Sequence, residues 1–333
     1  MKLVQIARAG QRRIAQVDGA ELRLLDAQWT DIYSLAMHAA DSGFSLVSAV
    51  NAATGSESLA YAPIYNANSV WRLLPSFDHP ADPAHCMVSG TGLTHKASAE
   101  NRAAMHKQTG AEITDSGRMY QMGLEGGSPA AGEIGVQPEW FFKGDGSILR
   151  AHGEDLTIPA YGWDGGEEPE MAGAYLVSRT GEPLRVGLTV GNEFSDHQME
   201  KKNYLYLAPS KLRNCSIGPE LTIGEWEFDD VPGTVSVFRD NAALWSKSIW
   251  TGQKNMSHTV ANLEHHQFKY EGHRRPGSVH IHFFGADAFS FGDGVELKEG
   301  DAMEVWFPGF GRALRNRLRM AGKGEGFVGV RGL

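Results

Sequence analysis

Hydrophobic positions along this chain fall mostly in short runs set between glycine-rich turns, and only a few stretches carry helical spacing. From residue 171 to 307 the runs Ala174–Ser178, Val186–Val190, Leu221–Phe228, Gly233–Arg239, Val279–Phe284 and Ala302–Trp306 have the length and composition of strands. Earlier, Met1–Ile6, Ile14–Val17, Leu22–Leu25 and His85–Val88 read the same way, as does Gln137–Lys143, which ends in a Gly-Asp-Gly turn. Three segments predict helices. Thr30–Asp41 has Thr30 as its cap and puts Ile32, Leu35, Ala36 and Ala39 on one face; Ser98–Gln108 is polar; Met256–His266 is the later one. Residues 111–135, rich in Gly, Ser and Ala, predict a mobile loop or lid. The prolines of Asp78-His-Pro-Ala-Asp-Pro83 mark a boundary. The pattern therefore predicts a mixed, β-dominated α+β chain, with a small N-terminal α+β domain over 1–80 and a larger domain over 81–333.

Composition narrows the function classes. With 41% hydrophobic residues the 333-residue chain can bury a real core, and its net charge of −9 disfavours nucleic acid or anionic lipid as partners. The basic run Arg312–Arg319 reads as a solvated helix or strand edge. Cys86 and Cys215 stand far apart without CxxC spacing, which suits neither a disulfide scaffold nor a thiolate zinc site and fits a reducing cytoplasm. No apolar run has the length of a membrane span, and Met1–Ile6 has no signal-peptide apolar region, so the expectation is a soluble, cytoplasmic protein. Gly90-Thr-Gly92 lacks the remaining glycine of a dinucleotide fingerprint, and NAD is not invoked.

The chemistry concentrates in one stretch. Between Gly162 and Val177 stand Asp164, Glu167, Glu168 and Glu170, with no Lys, Arg or His among them. On a strand Glu168 and Glu170 share a face, and two carboxylates at the mouth of an apolar run repel unless a cation joins them. Hard oxygen ligands suit Mg²⁺, with Mn²⁺ or Ca²⁺ as alternatives. A third acid, Glu193, ends the next apolar run, Gly187-Leu-Thr-Val-Gly-Asn-Glu193. These three are the candidate ligands. His280-Ile-His282 also faces one way, as in the metal site of a cupin, but no later histidine completes such a set.

Several further pieces arrive in an order that resembles the fumarylacetoacetate hydrolase superfamily. They are Pro138-Glu-Trp-Phe-Phe-Lys143, Glu168-Pro-Glu170, Gly191-Asn-Glu-Phe-Ser-Asp196, Ser210-Lys-Leu-Arg-Asn-Cys-Ser-Ile-Gly-Pro219, Pro276-Gly-Ser-Val279 with Phe284-Gly-Ala-Asp287, and Leu297-Lys-Glu-Gly-Asp-Ala-Met-Glu-Val305. The resemblance spans roughly residues 85–320 and is strongest, in the Asn-Glu-Phe-Ser-Asp-His run and the Phe-Gly-Ala-Asp loop, to the branch that dehydrates 2-keto-3-deoxy sugar acids. Two departures stand out: Glu193 replaces the usual Asp, and Ala286 and Asp287 replace a threonine and a proline that contact substrate in the hydrolases.

The resemblance implies a β-roll or sandwich catalytic domain, a homodimer, and a metal-dependent dehydratase acting on a small 2-keto acid. It points to Lys211 and His95 as catalytic residues, with burial lowering the Lys211 pKa toward that of a base. Asp287, Gly285 and Ser195 are the expected substrate contacts. One alternative keeps the metal and hydrolyses a carbon–carbon bond in an acylpyruvate-like acid. Another is a non-catalytic, cupin-like sugar-acid binder.

Overall fold

The computed structural model of this chain describes residues 1–105, 114–322 and 324–333. Strands dominate, in a sheet of twelve and a sheet of five. The centre of the large sheet is an antiparallel hairpin of Pro169–Val177 and Pro183–Asn192. Every residue of Pro169–Val177 is buried, so this strand reads as a continuous apolar run rather than an alternation. On one side Pro169–Val177 pairs with Val279–Phe283, which runs parallel to Cys86–Gly92; Glu139–Asp145 then forms the edge.

On the other side Pro183–Asn192 pairs with Cys215–Thr222, and Cys215–Thr222 pairs in turn with Lys2–Arg8. The expected N-terminal unit thus continues the same sheet through Gln11–Asp18, Glu21–Leu25 and Thr54–Ala60. Its helix Ile32–Ser42 contributes Ile32, Leu35 and Ala36 to a core cluster that also contains Cys86, Leu176, Ile217 and Phe283. The small sheet orders Ala242–Thr251, Val231–Arg239, Ala302–Trp306, Leu314–Met320 and Asp155–Ile158. It encloses a second core with Val235, Val305 and Leu314 packed on Met171 and Leu188.

Several expectations shift at their ends. Asp31, not Thr30, caps the first helix: its carboxylate accepts Ser34 N–H, and Thr30 donates its hydroxyl to Asp31 instead. The later helix is Val260–Phe268, begun where Thr259 accepts Asn262 N–H. The strand expected over Leu221–Phe228 lies earlier, at Cys215–Thr222, because Gly224 turns the chain out of the sheet at φ +81. Within the expected loop of 111–135, Thr114 caps a helix over Asp115–Gly126; residues 106–113, including the end of the expected Ser98–Gln108 helix, lie outside the described residues. The described part of that helix is Lys96–Met105. The basic run near the C-terminus is the strand Leu314–Met320, with Leu314, Asn316 and Leu318 inward and its arginines outward.

Candidate metal centre

Strand direction gathers the candidate site at one end of the large sheet. There the open end of the central hairpin meets the ends of two parallel strands, Val279–Phe283 and Cys86–Gly92, and the start of Glu139–Asp145. Glu193 N–H donates to Glu168 C=O at 3.0 Å, which sets those two residues opposite each other just beyond the hairpin's last ladder pair, Pro169 and Asn192. Glu168, Glu170 and Glu193 are all buried, and each offers a carboxylate oxygen within 4.8 Å of the others. This is the geometry that the spacing of the acids predicts.

Cations surround the cluster unevenly. Lys211 ends the short helix Leu207–Lys211 and points its ammonium at Glu168 Oε2 and Glu193 Oε2, both 2.8 Å away, and at Ser195 Oγ, 2.9 Å away. Lys143, fully buried on the edge strand, donates to Glu193 Oε1 at 2.8 Å and to the Phe194 and Lys211 carbonyls. Period two places Lys143 on the same face as Glu139 and Phe141. His197 Nε2 lies 3.0 Å from Glu168 Oε1, and its ring stacks on Phe289. Glu170 differs: it accepts Gly285 N–H at 2.6 Å, and among the described residues no ammonium or guanidinium bridges to it.

The electrostatics follow from these contacts. Burial, then the neighbouring Glu193 and Glu168 charges, push Glu170 well above the usual carboxylate range. Glu168 is raised by burial and by Glu193. Burial alone would raise Glu193 too, but Lys143 and Lys211 outweigh it and hold that carboxyl well below its usual value. Beyond the three candidate ligands, Glu200 approaches Lys211 at 3.3 Å, and Arg102 bridges Glu200 and Glu139. Five acidic side chains (Glu139, Glu168, Glu170, Glu193, Glu200) thus gather with Arg102, Lys143 and Lys211, and against the lowering effect of burial the hydrogen bond to Glu168 raises the His197 pKa. Three carboxyl groups crowded in a buried place, with two of them raised by burial and by neighbouring carboxylate charge, form an oxygen-donor set that a divalent hard cation fits.

The other expected residues fall around this centre in different ways. Ser195 donates to Glu193 Oε1 at 3.0 Å and accepts from Lys211, and Gly285 presents its N–H to Glu170. Asp287 is half-buried beyond Gly285, with Oδ2 accepting Trp250 N–H at 3.0 Å. His95 is buried, with Nδ1 on Thr94 Oγ1 and Nε2 on Thr251 Oγ1, and burial lowers its pKa to about 3, so the imidazole is neutral. Lys211 departs from the expectation of a lowered pKa: burial does act downward, but Glu168, Glu193 and Glu200 outweigh it and raise the group well above its ordinary value. His280 and His282 are committed elsewhere. His282 bonds Ser89 and Thr91, and His280 Nδ1 bonds Gln267.

Sequence reasoning passed over Lys143, Glu139, Arg102, Glu200 and His197. Lys143 and Glu139 stood inside a motif already noticed, and their shared parity was the available signal. Among the described residues, Glu139 Oε2 is buried without a hydrogen-bond partner, and it lies so close to Gly92 that a Cβ there would sit 1.8 Å from it.

No family model matches the chain. A curated relative from Haloferax volcanii, named a probable 2-keto-3-deoxyxylonate dehydratase, is 28% identical over 180 residues, covering 53% of this chain and 58% of the relative. The match therefore spans little more than half of that relative's length. Among solved structures, the apo form of 2-keto-3-deoxy-D-arabinonate dehydratase superposes with a TM-score of 0.71 at 20% identity, covering 97% of this chain and all of the other. The same enzyme complexed with magnesium and 2,5-dioxopentanoate gives 0.70 at 19% identity, with the same coverage. The chain shares the fold of these two solved structures.

Proposed function

We propose that this chain is a divalent-metal-dependent hydro-lyase that removes water from a 2-keto-3-deoxy pentonate. One observation carries the reading: three buried glutamates whose oxygens converge within 4.8 Å. The names of the relatives support the substrate class, and the magnesium complex of the structural relative supports Mg²⁺ over Mn²⁺ or Ca²⁺. Glu168, Glu170 and Glu193 are the proposed ligands. Held there, Mg²⁺ would bind the keto acid and draw electron density from its ketone, making the C3 hydrogen acidic.

The chain's own groups then handle protons. The C3–H and C4–O bonds break, a C3–C4 double bond forms, and water leaves. A proton then moves from C5 to C3, which shifts the double bond to C4–C5 as an enol, and transfer of the enol proton to C4 yields the aldehyde of 2,5-dioxopentanoate. Lys211, kept as an ammonium by its carboxylate neighbours, is placed to donate the proton that the departing hydroxyl needs. Neutral His95 and the unpartnered Oε2 of Glu139 are the proposed acceptors for the C3 proton. Ser195 orients the Lys211 ammonium against Glu193, while Gly285 and Asp287 line the substrate side. The resemblance adds a homodimer, and two buried free thiols, Cys86 and Cys215, suit a reducing cytoplasm.

The test is a panel of 2-keto-3-deoxy pentonates and acylpyruvates, assayed with and without chelator. Formation of 2,5-dioxopentanoate that stops on chelation is the expected result. Release of a short carboxylic acid from acylpyruvates alone would move the assignment to carbon–carbon hydrolysis. Sugar-acid binding that survives Glu168→Ala and Glu170→Ala, with no turnover, would make it a binding protein.

A further inference from the structure

The helix Lys96–Met105 carries a buried arginine that none of the proposed chemistry uses. Arg102 is 6% exposed, and its fork reaches in two directions: Nη1 lies 3.3 Å from Glu139 Oε1, and Nη2 lies 3.0 Å from Glu200 Oε2. Glu139 belongs to the edge strand and Glu200 to the helix His197–Lys202, so one side chain ties three elements together. Glu200 leads on to the centre through Lys211, and Glu139 stands on the same strand face as Lys143. Glu200 Oε1 is 3.3 Å from Lys211 Nζ, and Ser210 Oγ donates to that same oxygen at 2.9 Å. Glu139 Oε1 is taken up by Arg102 and by the Tyr204 hydroxyl at 3.1 Å, which leaves Oε2 as the buried oxygen without a partner.

We propose that Arg102 is a positioning residue for the reaction assigned above: it fixes Glu139 by one oxygen so that the other faces the site, and it shares Glu200 with Lys211. The inference rests on the dehydratase reading for its kinetic consequence but not for its electrostatic one. An arginine is needed because a planar fork spans two carboxylates on different elements, whereas an ammonium is a single point of charge. The helix that bears it begins directly after His95, and Ala99 N–H donates to His95 C=O. Anchoring Arg102 therefore fixes the backbone leading from one proposed proton acceptor while orienting the side chain of the other. Among the described residues, the charged and titratable groups that act on the guanidinium include Glu139, Glu200, Glu168, Tyr204 and Lys211. Without it, Glu200 would depend on the Lys211 ammonium, which Glu168 and Glu193 already engage, and Glu139 would lose the cation beside it and keep the Tyr204 hydroxyl.

The experiment compares wild type with Arg102→Lys and Arg102→Gln in two arms. In the kinetic arm Arg102→Gln lowers kcat about 100-fold with KM within about threefold, and Arg102→Lys restores part of the loss. The acid limb of the kcat profile moves toward neutral pH in Arg102→Gln, because a carboxylate deprived of its cation is protonated at higher pH. In the second arm, infrared difference spectra against wild type at pH 7 show an added protonated-carboxyl band in Arg102→Gln, which disappears in Arg102→Gln combined with Glu139→Gln and Glu200→Gln. An unchanged pH profile, with activity loss matching the loss of folded protein, overturns the proposal. So does the absence of the infrared band, whatever reaction the protein performs. If wild type dehydrates none of the sugar acids, the dehydratase reading fails and the infrared arm still decides the role of Arg102.

Discussion

Replacing Lys143 by methionine isolates the cost of unpairing the buried Glu193. The lysine and Glu193 are each 0% exposed, and Nζ sits 2.8 Å from Oε1. At an effective dielectric of about 20, a pair at that separation attracts by about 6 kcal/mol, before the desolvation that opposes it. Methionine keeps most of the volume and removes the charge, leaving Glu193 with Lys211 as its one remaining bridging cation and the Phe194 carbonyl without the ammonium. Breaking one side of a buried pair typically destabilises by about 3–5 kcal/mol. For a chain of 333 residues that lowers the melting temperature by roughly 4–7 °C. The assay is thermal melting in EDTA of wild type, Lys143→Met, Glu193→Gln and the double variant. The double variant should recover most of the loss, giving a coupling of about 3 kcal/mol, since no unpaired charge remains between the two. A Lys143→Met protein that melts within about 2 °C of wild type, or a cycle without coupling, refutes the reasoning.

Three further outcomes test other parts of the site. Stripping divalent ions and returning Mg²⁺ at about 100 times its Kd should stabilise the fold by about 2.7 kcal/mol, read as a melting shift, and Glu168→Gln with Glu170→Gln should abolish that shift. Gly92→Ala would place a Cβ 1.8 Å from Glu139 Oε2; the carboxylate must swing away, and turnover should fall at least tenfold while far-ultraviolet circular dichroism stays native. His282, lowered by burial to about 3, is neutral when folded, so the unfolded chain alone takes up its proton as pH falls below about 6.5. Its contribution is thus unaffected above that pH and turns against folding below it. Between pH 7.5 and 5.5 wild type should lose about 1 kcal/mol more than His282→Gln in denaturant titrations.

Two of the candidate ligands, Glu168 and Glu170, were legible because the acids of Gly162–Val177 cluster with no basic residue among them, and Glu193 because it ends the next apolar run. Their counter-charges were not, because they arrive from far away: Lys143 lies 50 positions from Glu193, and Lys211 lies 43 from Glu168. Burial suggested a lowered lysine pKa, yet three carboxylates around Lys211 decide the opposite, and only contacts reveal that. Periodicity found the buried strands but missed Ala242–Thr251, an edge strand whose residues are largely exposed and so carry little hydrophobic signal. Asp31 and Thr30 are both good caps, and geometry alone chose between them. Alternation along Lys2–Arg8 tells which face is buried, never which strand lies alongside; the union of the first eighty residues with the main sheet was invisible for that reason.

That union has a practical consequence. Lys2 and Leu3 hydrogen-bond in register with Thr222 and Leu221, one strand away from the strand that leads to Glu193. A shortened protein starting near residue 81 would present Cys215–Thr222 as a bare template for other chains, and would precipitate sooner than work. Supplied as two separate polypeptides made in one cell, the same halves have a ready-made seam along which to reunite, and recovered turnover would report that meeting.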